Sequence, residues 1–354
     1  MATYDTVAGL TLTVESVDCE HREVSVRGGM FTRATTLVVL RGAGEEGVGE
    51  DVTYDAEAHA PFQARLRSGA LPLTGEWESF DAFSRSLDSV ELFDAPPTMH
   101  AFSDYRRWAL ESAALDLALR QAGRSLADAV GREPRPVSFV VSFGLGDPPS
   151  MEPVRRWLEH YPGLRFKLDG TSAWTDELVA ELAATGAVDT IDLKGAYRGT
   201  PVDQAADARL YRLVAEGFPQ AWIEDPNLDE EAAAEALAPH RERITWDAPI
   251  HSVADVEALR FPPRTINIKP SRFGPVRRLF DAYDYCAERE IAVYGGGQFE
   301  LGVGRDHIQY LASLFHPDGS NDVAPREYNG DEPVGGLPTS PLEVHPAPVG
   351  FGWG

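Results

Sequence analysis

The sequence predicts an α/β fold, a (β/α)8 barrel of the TIM type carrying an N-terminal α+β capping domain. Three observations predict it. Beyond residue 136, short apolar runs alternate strictly with amphipathic segments, in eight strand–helix units up to residue 330. Such alternation builds a parallel sheet with right-handed crossovers. No GxGxxG follows the first of these strands, and the Gly-rich "GGGQFELG" falls in the seventh unit, the wrong place for a dinucleotide fingerprint in an open doubly wound sheet. Finally, acidic and lysine residues recur at strand ends, where a closed barrel gathers its active site.

The elements follow in order. Residues 7–52 hold the strand-like runs "LTLTVESV" and "TTLVVLRG" between Gly-rich turns, and the pattern turns helical over 74–131. "SDYRRWALESAALDLALRQAG" opens on Ser103 and Asp104, spaces its apolar residues by three and four, and stops at Gly123. "GREPRP" (131–136) then reads as a boundary between a capping domain, 1–130, and a barrel, 131–330, with the tail 331–354 expected to return to the cap. The barrel strands are "VSFVVSFG", "RFKLD", "TIDLKG", "AWIEDP", "ITWDAPI", "TINIKP" and "IAVYGGG", with a weaker eighth near "SNDVAPREY". Each of the first seven is followed by a helical segment, from "SMEPVRRWLEHYPG" to "GRDHIQYLASLFHP", so the count is eight units or seven and a half.

The second strand, "RFKLD", ends in charge. Alternate side chains share a face, so Lys167 and Asp169 point together, away from Phe166 and Leu168. The later strand ends carry Asp192 and Lys194, Glu224 and Asp225, Asp247, Lys269, and then Gln298 and Glu300. Asp192, Glu224 and Asp247 lie 32 and 23 residues apart, about one strand–helix unit each, so three neighbouring strands aim a carboxylate at one mouth. Converging carboxylates in a partly dry cavity repel unless a cation offsets them. Three oxygen ligands without His or Cys suit Mg²⁺ better than Zn²⁺. Lys269, closing the sixth strand across from the second, is the candidate general base, because partial desolvation beside a divalent cation favours a neutral amine. Its plainer reading is a salt-bridge partner for the carboxylates.

The chain of 354 residues has a net charge of −24, a pI near 4.7 and a 43% hydrophobic composition. That field repels phosphate backbones and anionic lipid, which argues against nucleic-acid and membrane partners. There is no apolar run of membrane-spanning length and no signal-peptide pattern, so a cytoplasmic protein is expected, with Cys19 and Cys286 as free thiols. An anionic substrate would need a local positive charge, which a bound cation supplies.

These motifs resemble the enolase superfamily, in its muconate-lactonizing subgroup. "ALESAALDLALRQAGRSLADAVG" is similar to the segment joining cap to barrel, and "WIEDP" to the fourth-strand metal motif. "INIKPSRFGPV…GGGQFELGVGRDH" resembles the same region of o-succinylbenzoate synthases and N-succinylamino acid racemases. The resemblance implies metal ligation by Asp192, Glu224 and Asp247, and removal of a proton α to a carboxylate with Mg²⁺ stabilising the enediolate. It also implies a small carboxylate substrate, a homo-oligomer, and a capping loop around "HREVSVRGGMFTRATT" in which Arg27, Met30, Phe31 and Arg33 contribute specificity.

The chain departs from that pattern on the second and third strands, and on the fifth, where Ala248 follows Asp247 in the place of a frequent glutamate. The subgroup's Lys-x-Lys pair on the second strand is here Lys167 and Asp169, and its third-strand Asp-x-Asn is Asp192 and Lys194. A seventh-strand histidine is absent from "YGGGQFE", and His251 and His307 fall elsewhere. Two opposed lysines are therefore not available for racemisation, whereas a syn-elimination can run on one base that later acts as acid. The expected function is a Mg²⁺-dependent lyase in which Lys269 takes the proton, Lys167 neutralises the substrate carboxylate, Asp169 orients substrate or assists, and Lys194, Gln298 and Glu300 line the pocket. The alternatives are a racemase or epimerase using Asp169 or Lys194 as the second group, and a catalytically silent metal-binding barrel.

Overall fold

A computed structural model describes residues 2–26, 31–200, 202–330 and 332–353. Arg27 and Met30 lie outside the described residues. In the cap, strands β1 (Leu12–Val14) and β5 (Gly75–Trp77) pair antiparallel, and β2 (Ser16–Val26), β3 (Phe31–Gly42) and β4 (Glu45–Asp51) form an antiparallel meander. The helix Ala101–Gln121 lies across β4 and is buried on nearly every side. It begins two residues before Ser103, so the polar start expected as its cap falls inside its first turn.

The barrel strands are β6 (Val141–Gly144), β7 (Phe166–Asp169), β8 (Val188–Asp192), β9 (Trp222–Glu224), β10 (Ile244–Thr245), β11 (Thr265–Ile268) and β12 (Ala292–Gly295). β6 to β10 form one parallel sheet in sequence order, and β11 pairs parallel with β12. The Asn267 amide donates to Trp246 O at 2.9 Å and links the two sheets. The expected eighth strand is reduced to parallel bridges of Asn321 with Phe139 and of Asp322 with Gly296, which close the ring. Pro325 lacks an amide donor and limits the strand. The Asn321 side chain does part of the strand's work, accepting from Gly295 N at 2.6 Å and donating to Ser138 O at 2.9 Å.

Two buried carboxylates of the cap hold the starts of barrel helices. Glu50 on β4 accepts from the amides of Leu301, Gly302 and Gly304 at 2.7–3.0 Å, at the N-terminus of helix Val303–Phe315. Glu111 accepts from Val276 N at 2.8 Å, at the start of helix Val276–Glu288. Those amides have no partner within their own helices, and the end of the helix dipole favours an anion.

The tail bonds to both modules. Val137 N donates to Leu342 O at 2.9 Å, and Phe351 N donates to Asp116 of the cap helix at 2.8 Å. The Phe351 ring stacks on His307 of the barrel with centroids 4.1 Å apart. His307 is fully buried, neither ring nitrogen has a hydrogen-bond partner, and burial, helped by Arg120, holds its pKa down at about 3. Because the unfolded chain binds this proton near pH 6.5 and the native state only near 3, stability is unaffected by its titration above pH 6.5 and falls progressively as pH drops toward 3. His307→Phe should therefore raise the melting temperature at pH 7, by relieving a polar burial cost of about 1–3 kcal/mol. It should also flatten the decline in melting temperature between pH 6 and 4, as followed by circular dichroism; an unchanged decline would place the acid sensitivity elsewhere.

Cys19 and Cys286 are both buried and free. Among the described residues no helix is long and apolar enough to cross a membrane.

Candidate active site

The carboxyl ends of the barrel strands converge as their side-chain parity requires. Lys167 reaches from β7 to the end of β9, its ammonium bonding the Glu224 carboxylate and lying 3.3 Å from Asp192 Oδ2. All three residues are buried. Burial alone would drive the Lys167 proton off, but Glu224 and then Asp192 outweigh it and keep the side chain an ammonium. Glu224 also accepts from the Tyr294 hydroxyl.

Asp192, Glu224 and Asp225 each offer an oxygen within 4.8 Å of the others. Three buried hard oxygen donors at the ends of two adjacent strands fit a hard divalent cation. Asp225, rather than Asp247, completes this trio. Simple alternation turns Asp225 away from Glu224, but its backbone adopts a left-handed φ of 50° and brings the carboxylate round. There it accepts from the amides of Asp247 and Ala248 at 2.9 and 2.8 Å. Burial, with Asp247 and Asp192 nearby, pushes its pKa up to about 7.

Asp247 lies beside the trio with both oxygens bonded. Arg272 donates to Oδ1 at 2.6 Å, while Lys269 and the Tyr197 hydroxyl donate to Oδ2 at 2.8 Å each. Burial raises the Asp247 pKa, yet Arg272 and Lys269 outweigh it and hold the group well below the usual carboxylate range. Lys269 follows β11, and its side chain packs on a glycine. A Cβ at Gly296 would sit 2.7 Å from Lys269 Cε, and one at Gly297 would sit 2.2 Å from Glu300 Oε2. The two glycines let the lysine and the glutamate pack against the backbone of "GGGQFE". Asn267, two residues before Lys269 on the same face, is buried with neither Oδ1 nor Nδ2 of its side chain hydrogen-bonded.

Asp169 does not reach the trio. It forms an ion pair with Lys194, Nζ to Oδ1 at 3.2 Å, while the same ammonium lies 2.5 Å from Asp192 Oδ2. Gln298 and Glu300 are both buried in the loop after β12. Gln298 N donates to Glu300 Oε1 at 2.6 Å, Arg305 lies 3.4 Å from Glu300 Oε2, and Gln298 Nε2 has no partner. Glu300 lines a cavity of about 940 Å³ between this loop and the capping hairpin, walled also by Val26, Leu37, Arg305 and Arg326.

Phe31 and Arg33, expected to contribute specificity, have different surroundings. Phe31 is exposed beside Tyr54, with ring centroids 6.3 Å apart. Arg33 is fully buried and donates to five backbone carbonyls, including Gln298 O at 2.8 Å and Phe299 O at 3.1 Å. It holds the loop and has no free donor left for a ligand. Sequence reasoning missed Tyr197, Arg272, Tyr294 and Asn267. The parity that located Lys269 also marks Asn267, while Tyr197 and Arg272 sit beyond strand ends, where parity stops.

Comparison with known proteins bears on this geometry. Residues 5–129 and 133–330 match the N- and C-terminal domains of a family described only as a domain of unknown function, DUF8230. An N-succinylamino acid racemase from Amycolatopsis sp is 31% identical over 92% of this chain and 89% of its own. An o-succinylbenzoate synthase from Geobacillus stearothermophilus is 26% identical over 95% and 90%. Among solved structures, an enolase-superfamily member from Listeria innocua superposes with a TM-score of 0.68 at 21% identity, covering 89% of this chain and 86% of that one. A muconate lactonizing enzyme from Pseudomonas fluorescens gives 0.64 at 19% identity, covering 88% of each.

Proposed function

Because the chain belongs to the enolase superfamily, in the family described as DUF8230, we propose that it is a Mg²⁺-dependent lyase that removes a proton α to a carboxylate and expels a β-leaving group such as water. The observation that carries this reading is Lys269, bonded to Asp247 beside the carboxylate cluster, in a barrel whose second strand offers Asp169 where the subgroup has a second lysine. Asp192 and Glu224 would hold Mg²⁺ together with Asp247, the third ligand expected from the sequence, or with Asp225, which completes the tighter trio. When bound, the ion supplies Lewis-acid stabilisation of the negative charge that develops on the substrate carboxylate.

The chain's own residues do the rest. Lys269 Nζ accepts the α-proton. The same ammonium then returns a proton to the departing oxygen, so one base serves both halves of a syn-elimination. Asp247 aims that amine, and Arg272 and Tyr197 hold Asp247 in turn. Lys167 balances charge beneath the cluster. Gln298 Nε2 has a donor free for substrate.

A racemase or epimerase is the second reading, favoured by the relative named N-succinylamino acid racemase. It requires a proton donor on the opposite face, where Asp169 and Lys194 stand. Proton NMR in D₂O with Mg²⁺ separates the two, using acid sugars, N-acylamino acids and succinylbenzoate precursors. A lyase consumes the α-CH signal and gives an unsaturated or keto product. An epimerase incorporates deuterium with inversion and no loss of substituent. Tight Mg²⁺ binding without exchange on any of these substrates would count against both.

A further inference from the structure

The third-strand departure, Lys194 in place of a neutral residue, puts an ammonium inside the carboxylate cluster. One residue covers both oxygens of Asp192: Lys194 N donates to Oδ1 at 3.0 Å and its Nζ donates to Oδ2 at 2.5 Å. The left-handed backbone at Lys194, φ 53°, turns the side chain back onto the strand end it has just left. On its other side the ammonium lies 3.2 Å from Asp169 Oδ1, a buried oxygen that has no hydrogen-bond donor. Asp169 is the more open of the two acceptors, its side chain 30% exposed against 0% for Asp192. Lys167 has no such alternative, since its carboxylate partners are Glu224 and Asp192.

A unit charge and a divalent cation cannot share one buried carboxylate at contact distance without strong repulsion. We propose that the Lys194 ammonium and the divalent cation compete for Asp192, and that Asp169 receives the ammonium the cation displaces. The second- and third-strand departures are then one exchange. Asp169 is the counter-ion that lets a lysine occupy position 194, and the pair sets the affinity of the cation site. Neither residue need touch the reacting atoms; both are positioning residues. The inference rests on the cation site proposed above.

A double-mutant cycle tests it, by titrating MgCl₂ calorimetrically into the metal-stripped full chain and checking each variant's fold by circular dichroism. Lys194→Gln should bind Mg²⁺ at least tenfold more tightly, about 1.4 kcal/mol. Asp169→Asn should bind at least tenfold more weakly, because the ammonium then has only Asp192. The double variant should match Lys194→Gln within about twofold, since Asp169 acts only through the lysine. A merely electrostatic Asp169 would weaken binding equally in both backgrounds, and that additive result overturns the proposal, as does unchanged or weaker binding in Lys194→Gln. Asp192→Asn separates the two failures. Loss of binding there keeps the site whatever the cycle shows, whereas binding that survives it places the ion elsewhere and overturns both readings.

Discussion

Lys269→Ala is expected to lower turnover, and the rate of deuterium incorporation at the substrate α-carbon, by about 10²–10⁴-fold, the range general acid–base catalysis contributes. The fold should survive. The ammonium makes one hydrogen bond, to Asp247, and Arg272 and Tyr197 still bond that carboxylate when it is gone. Mg²⁺ affinity should change far less than turnover, because Lys269 does not touch Asp192, Glu224 or Asp225. Lys269→Arg should not rescue, since a guanidinium stays protonated and cannot accept the α-proton. Single-turnover exchange in D₂O, read by NMR beside a calorimetric Mg²⁺ titration, measures both quantities. Exchange that persists in Lys269→Ala and disappears in Asp169→Asn would move the base to the second strand.

The parts of this site that were legible in the sequence are those governed by strand parity. Phe166–Asp169 is short and bounded, and alternation alone put Lys167 and Asp169 on the inner face, with Asp192 and Glu224 at the ends of the next two strands. The barrel itself followed from alternation at a larger scale. Asp225 shows where parity fails: a left-handed residue immediately after a strand reverses the face its neighbours predict, and nothing in "WIEDP" announces the sign of φ. Asp247 shows a second limit. Its position was readable, but its bonding was not, because Tyr197 and Arg272 approach from a loop and a short helix on either side of it in the chain. Arg33 shows a third. In "GMFTRATT" it looks like a loop cation free to meet a ligand, and only a contact across 265 residues makes it a fastener for Gln298.

That fastener supports the second large prediction. Arg33 grips the carbonyls of Gln298 and Phe299 from β3, and Glu50 grips the amides of Leu301, Gly302 and Gly304 from β4. The two capping strands thus hold opposite polar edges of one loop, the one that carries Gln298 and Glu300. Arg33→Met should cost about 3 kcal/mol or more, because it strips donors from five carbonyls, most of them in buried surroundings. Glu50→Gln should cost about 2 kcal/mol or more, since its amide group turns a donor toward donors. As both act on the same segment, the double variant should lose less than the sum. The kinetic signature should fall mainly on KM, for the loop lines the cavity whereas Lys269 and the carboxylate cluster sit on strands that neither residue touches. Chemical denaturation with steady-state kinetics checks both effects. Additive losses, or a fall in kcat at constant KM, would mean that the cap acts on the strand ends rather than on the loop. Held at both edges, this loop is a fixed wall of the cavity beside the capping hairpin; if substrate enters by that cavity, its selection depends on the cap's buried charges as well as on the groups that face it.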